Sequence, residues 1–158
     1  MARISSKPQE HGGGIVSHCS SSPYPYKISY PPSWYLYEPE STPVTVGFWI
    51  EKTEGEASGV WVTVHENLSR LTLEEWWKKD IKNYGNYQDL LNKTINEDRL
   101  VNGYNAFFVQ TGKDWQSRPG TWVYLSKGEK IYDINTSFTE GENYQIFDQI
   151  LSTFQFTP

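Results

Sequence analysis

The stretch Leu71-Thr72-Leu73-Glu74-Glu75-Trp76-Trp77-Lys78-Lys79-Asp80-Ile81 decides the fold, because here the chain changes its period. Leu73, Trp76, Trp77 and Ile81 recur at three-to-four spacing with Glu74, Lys78, Lys79 and Lys82 between them, so the apolar side chains share one stripe of a helix. Thr72 followed three residues on by Glu75 is a capping box, in which hydroxyl and carboxylate satisfy two amide donors that a helix start would otherwise leave orphaned. One amphipathic helix therefore interrupts a chain whose remaining segments alternate.

Upstream, Tyr26–Tyr30 alternates and is stopped by Pro31-Pro32, since proline cannot donate to a strand ladder. Val44, Val46, Phe48 and Ile50 share one strand face, as do Val60, Val62 and Val64; the polar 51–59 segment between them makes these runs a hairpin with a long acidic loop. Downstream, Thr94–Val101 and Tyr104–Thr111 meet at Asn102-Gly103, a pair that tolerates the positive φ angles of a tight turn. Thr121–Ser126 and Lys130–Phe138 meet at Lys127-Gly128-Glu129, completing a meander. Ile146, Phe147, Ile150, Leu151 and Phe154 then form a second helical stripe, with Thr139 and Glu142 at capping-box spacing ahead of it. The order βββ-α-ββββ-α predicts an α+β protein, an antiparallel sheet covered by helices in an α/β/α sandwich.

Residues 1–24 are rich in Ser, Gly and Pro and lack periodic apolar positions, which predicts a disordered leader or remnant ahead of a single domain at 25–158. The chain of 158 residues is long enough for a core without disulfides or a structural metal. Aromatic residues make up 16%, so the core must lean on Trp, Tyr and Phe, a bias that favours strands. A net charge of −5 leaves no basic footprint for phosphate backbones, which excludes nucleic acid as the expected partner. No stretch approaches the roughly 20 apolar residues of a membrane span, and the first residues hold no signal-like apolar run; the chain is expected to be soluble. Cys19 is the one cysteine, so a thiolate zinc cluster within the chain is excluded. Cys19 leads a Ser/Pro run, as mature lipoproteins begin, although Val16-Ser17-His18 ahead of it is a poor lipobox; an unmodified thiol in a tail is the plainer reading.

The strand ending in Tyr30-Pro31-Pro32-Ser33-Trp34, the Leu71–Lys79 helix, the Asn102–Gln110 hairpin and the closing Tyr144–Phe156 segment together resemble the superfamily that unites PsbP, the Ran-binding Mog protein and the envelope protein DcrB. The resemblance covers nearly everything after residue 24. It implies an adaptor or extrinsic subunit, a binding module that engages a protein partner in an envelope-associated or extracytoplasmic setting; the motifs that carry it are not catalytic, and no cofactor is expected. Residues associated with photosystem binding in PsbP have no match here, so neither a photosynthetic nor a Ran-binding role carries over.

No catalytic constellation is legible. Cys19 and His18 adjoin in the expected leader, where a nucleophile and its base would not be preorganised. His65, at the end of the Val60–Glu66 run, is the histidine inside the patterned region; with Glu66 and Asp133 it offers at most a weak cation site, because one histidine without a spaced second ligand does not define a geometry. Glu51, Glu54, Glu56, Glu140 and Glu142 read as solvated charge. Asn-x-Ser/Thr triplets at Asn67, Asn92 and Asn135 arise easily in an Asn- and Ser-rich chain. Binding is signalled instead by aromatics. Trp115 and Arg118 occupy the polar loop 112–119, where a tryptophan beside arginine is hot-spot material. Trp34, Tyr35 and Tyr37 follow the proline pair and, with Trp49 and Trp61, are expected to form an aromatic surface. Two readings follow: a protein-binding module, or a carbohydrate- or small-ligand-binding domain with an aromatic surface. An enzyme built on His65 and carboxylates is the third.

Overall fold

The computed structural model describes residues 3–4, 16–20, 24–39, 44–50, 58–83, 88, 94–111 and 119–158. Its main layer is an eight-stranded antiparallel sheet in the order β1-β4-β5-β6-β10-β9-β8-β7. The strands are β1 (Arg3–Ile4), β4 (Tyr35–Glu38), β5 (Val44–Trp49), β6 (Gly59–Glu66), β7 (Thr94–Val101), β8 (Tyr104–Thr111), β9 (Thr121–Lys127) and β10 (Lys130–Thr136). A smaller sheet, β11-β3-β2, is made by Gln155–Phe156, Tyr26–Tyr30 and Val16–Ser20. Helix α1 spans Leu73–Asp80 and runs into a 3₁₀ turn at Ile81–Asn83, and helix α2 spans Gly141–Ser152. The protein is thus of the mixed α+β class, with helices on the two faces of an antiparallel sheet.

Alternation along the strands divides the core into two layers. Val46, Phe48, Val60, Val62, Val64, Val123, Leu125, Tyr132 and Ile134 point to the face covered by Phe147, Ile150 and Leu151 of α2 and by Tyr26, Ile28 and Tyr30 of β3. Phe107, Val109, Tyr124 and Ile131 point to the other face and meet Trp76, Trp77 and Ile81. The helix period read around Trp76-Trp77 thus serves one layer only, and Trp77 seats its ring 5.7 Å from that of Phe107. Thr72 and Glu75 form the expected capping box, with Glu75 N–H donating to the Thr72 hydroxyl at 3.2 Å and Thr72 N–H to the Glu75 carboxylate at 2.8 Å. Asn102 and Gly103, at φ 47° and 85°, make the expected tight turn between β7 and β8.

Four features depart from the sequence reading. Residues 3–4 and 16–20 do not belong to a structureless leader: Arg3–Ile4 pairs with β4, and β2 pairs with β3 from Val16↔Tyr30 to Ser20↔Tyr26, because β3 has an edge whose backbone groups need partners and a polar strand can supply them. Tyr35–Glu38 is a further strand, paired with β5, that the order βββ-α-ββββ-α did not include. Helix α2 begins after Glu140 without a side-chain cap, since Gly141 at φ 84° turns the chain in and leaves Thr139 one residue too early for a box with Glu142. Phe154 is buried beyond the end of α2 and leads into β11, which hydrogen-bonds to β3. Among the described residues no helix is long and apolar enough to cross a membrane.

Candidate functional site

The strand register lines up one row of side chains across the face that α1 shares. Tyr37 pairs with Gly47, Gly47 with Trp61, Trp61 with Asn135, and Asn135 with Trp122. Directly opposed residues in an antiparallel pair project from the same face, so Tyr37, Trp61, Asn135 and Trp122 stand side by side. The next row brings Tyr35 opposite Trp49. Tyr37 stacks on Trp49 with centroids 4.2 Å apart and planes 17° from parallel, and Trp61 meets both rings nearly edge-on at 5.8 and 5.4 Å. Gly47 makes this approach possible: a Cβ there would lie 2.6 Å from Trp49 Nε1 and 2.9 Å from the Trp61 ring. Trp49 is 7% exposed, and its indole N–H has no hydrogen-bond partner among the described residues. Tyr35, Tyr37, Trp61 and Trp122 remain partly open.

Of the residues expected to form an aromatic surface, Tyr35, Tyr37, Trp49 and Trp61 are brought together and Trp34 is not. Trp34 is 4% exposed and joins the layer beneath α2, because it precedes β4 in a turn closed by its own N–H to the Pro31 carbonyl at 3.0 Å. Trp115 and Arg118 lie outside the described residues. Trp122 was overlooked, although Trp122 and Tyr124 alternate with Val123 and Leu125 and so belong to the same face as Trp61. Asn135, read only as part of a glycosylation triplet, supplies the polar group between two tryptophans. Of the other triplets, Asn92 is outside the described residues and Asn67 is buried, bridging Leu71 N–H and C=O at 3.0 and 2.9 Å.

Beside the aromatic row, under α1, sits a polar cluster. His65 Nε2 is 4.0 Å from Asp133 Oδ2, the Trp76 ring is 5.4 Å from the imidazole, and the Tyr124 hydroxyl donates to Asp80 Oδ2 at 3.4 Å. Burial pushes Asp133 up to about 7, opposed by the Asn135 amide that donates to it at 3.1 Å and reinforced by the nearby Asp80 carboxylate. Burial likewise raises Asp80, with His65 and the Tyr124 hydrogen bond opposing, and lowers His65, with Asp80 opposing. Glu66 does not join the cluster: it leaves the strand on the opposite face, where it pairs with Lys130 and accepts from Tyr24. No group of three metal-ligating His, Cys, Asp or Glu side chains converges among the described residues.

The Cys19–His18 pair is divided by the alternation of β2. Cys19 is exposed, whereas His18 turns inward against Phe48 and Tyr26, with Nδ1 3.9 Å from Glu38. Burial lowers the His18 pKa, with Glu38 opposing. Ordered as they are, the two side chains do not face each other.

No sequence-family model matches the chain, and neither does any curated protein. The solution structure of cyanobacterial PsbP (CyanoP) from Synechocystis sp. PCC 6803 superposes with a TM-score of 0.61 at 17% identity, over 95% of this chain and 98% of that one. The chain has a PsbP-like fold. The superposition spans almost the whole of each chain, and so extends beyond the portion after residue 24. At this identity the likeness concerns the arrangement of strands and helices.

Proposed function

We propose that this PsbP-like domain is a non-enzymatic binding or assembly module that engages a protein partner through the aromatic row, in an envelope-associated or extracytoplasmic setting. The observation that carries the reading is the set of partly open rings Tyr37, Trp61 and Trp122 fixed in one row, with Trp49 bracing Tyr37 and Trp61. Rigid aromatic side chains lose little conformational freedom on docking and present large apolar area with polar tips, which is why such residues dominate binding hot spots. The polar cluster is compatible with the same reading, because Trp76 of α1 packs over the His65 imidazole, and the Tyr124 hydroxyl and Asn135 amide already donate to Asp80 and Asp133. A lipid anchor at Cys19 forms no part of the proposal: processing at that residue would remove Val16–His18, three of the five residues of β2.

The test is co-purification from the envelope fraction of the source cells on immobilised full-length chain, with Tyr37→Ala and Trp61→Ala as controls. A protein retained by the wild type and lost with both variants supports the proposal. Asn135 between Trp61 and Trp122 is the one feature that favours a sugar ligand instead. Calorimetric titration with neutral oligosaccharides measures that alternative, and saturable heat abolished by Trp61→Ala would replace the protein partner with a glycan.

A further inference from the structure

The far edge of the sheet from the aromatic row is formed by β7, with β8 on one side and no described strand on the other. β7 pairs with β8 along its whole length, from Thr94↔Thr111 to Val101↔Tyr104. The two-residue turn makes Val101 and Tyr104 a hydrogen-bonded pair, and bonded and non-bonded pairs alternate in an antiparallel ladder. The backbone N–H and C=O groups of Asn96, Asp98 and Leu100 therefore point to the open edge. Every side chain from Ile95 to Leu100 is exposed, and Ile95 and Leu100, at 60% and 70%, are two of the three large apolar residues left this open among those described.

Sheet proteins commonly blunt such an edge with proline, a bulge or charge. The register of β7 is unbroken and the strand holds no proline. Its charges are unequally engaged. Arg99 is tied to Glu97 and lies with its guanidinium carbon 3.6 Å from the Phe108 ring centroid. Asp98 projects from the opposite face and has no cation against it among the described residues. A second copy of the chain fits this edge poorly: the antiparallel register that sets Glu97 against Arg99 sets Asp98 directly against Asp98, and like charges in that position are destabilising.

We propose that β7 is a strand-addition site for an extended segment of a partner protein. The segment runs antiparallel to β7, places a Lys or Arg opposite Asp98, an apolar side chain two positions away opposite Leu100, and a second apolar side chain on the other face opposite Ile95. Main-chain hydrogen bonds to Asn96, Asp98 and Leu100 supply attraction independent of sequence, and the cation and the two apolar groups fix the register. The site goes beyond the aromatic row and stands or falls separately from it.

The experiment is NMR titration of the full chain with the capped peptide Thr-Val-Thr-Lys-Thr-Thr-Val-Thr. Saturable shift changes centred on the amides of Asn96, Asp98 and Leu100, with slowed hydrogen exchange at those positions, are the expected result. Asp98→Lys weakens this peptide at least about fivefold and turns the preference toward the same peptide with Glu in place of Lys. Asp98→Pro removes an edge donor without touching the β8 ladder and abolishes binding. The proposal is overturned by an absence of saturable change at millimolar peptide, by changes centred elsewhere, or by Asp98→Pro binding as the wild type does. Concentration-dependent self-association that protects the β7 amides without peptide overturns it as well.

Discussion

His65 Nε2 lies 4.0 Å from Asp133 Oδ2 on the adjacent strand, with Trp76 of α1 packed over the imidazole. An acid and a base are thereby held together where water is scarce, and each shifts toward its neutral form. The two shifts act oppositely on stability. Asp133 is raised from 3.8 to about 7, so the native state binds the extra proton between those values and loses stability as pH rises through them. His65 is lowered from 6.5, so its contribution is present above that value and is lost as pH falls through the native one.

Asp133→Asn keeps the carbonyl that accepts from Asn135 and removes the titration. Its stability is expected to exceed that of the wild type at pH 8 and to match it near pH 4. At roughly 1.4 kcal/mol per pH unit the full gain is on the order of 4 kcal/mol. Urea unfolding across pH 4–8 measures it, and a variant curve parallel to the wild type would remove Asp133 as the cause.

Gly47→Ala is expected to disturb the aromatic row without opening the core. The added methyl would meet Trp49 Nε1 and the Trp61 ring inside 3 Å, and forced repacking costs about 1–3 kcal/mol. Near-UV circular dichroism reports the change in ring packing, and thermal unfolding the loss of stability. Unaltered near-UV bands would show that the rings are not in mutual contact.

Thr72→Ala removes the hydroxyl that caps α1 and is expected to cost about 1 kcal/mol, whereas Thr72→Ser retains most of it. Chemical unfolding of the two variants makes the comparison, and equal losses would place the effect in packing instead of the cap.

Deletion of residues 1–20 is expected to destabilise the domain, since β2 would no longer pair with β3 and the inward His18 would no longer cover Phe48 and Tyr26. A truncated chain with the midpoint of the full chain would restore the reading of these residues as a leader.

Periodicity made the two halves of the fold unequally legible. Val60, Val62 and Val64 alternate over a buried face and declared β6, and Trp76-Trp77 within a three-to-four repeat declared α1. β2 stayed hidden because Val16-Ser17-His18-Cys19-Ser20 is bound by its backbone and carries no apolar stripe to read. Trp34 was misplaced for a related reason: proximity to Tyr35 and Tyr37 suggested a shared surface, but a turn residue ahead of a strand need not follow the strand's alternation. Which strands are neighbours is a tertiary fact, so the row Tyr37, Trp61, Asn135, Trp122 could not be assembled from sequence even though each ring's face could be inferred.

The aromatic row is proposed as the surface by which this PsbP-like domain meets a protein partner. The most direct measurement places a photo-crosslinking phenylalanine analogue at Tyr35 or, as a control on the exposed side of α2, at Asp148, and illuminates living source cells expressing the full chain. The account predicts a discrete adduct from position 35 that disappears when Trp61→Ala is added, and none from position 148. Equal adducts from both positions, or an adduct from position 35 indifferent to Trp61→Ala, would contradict it.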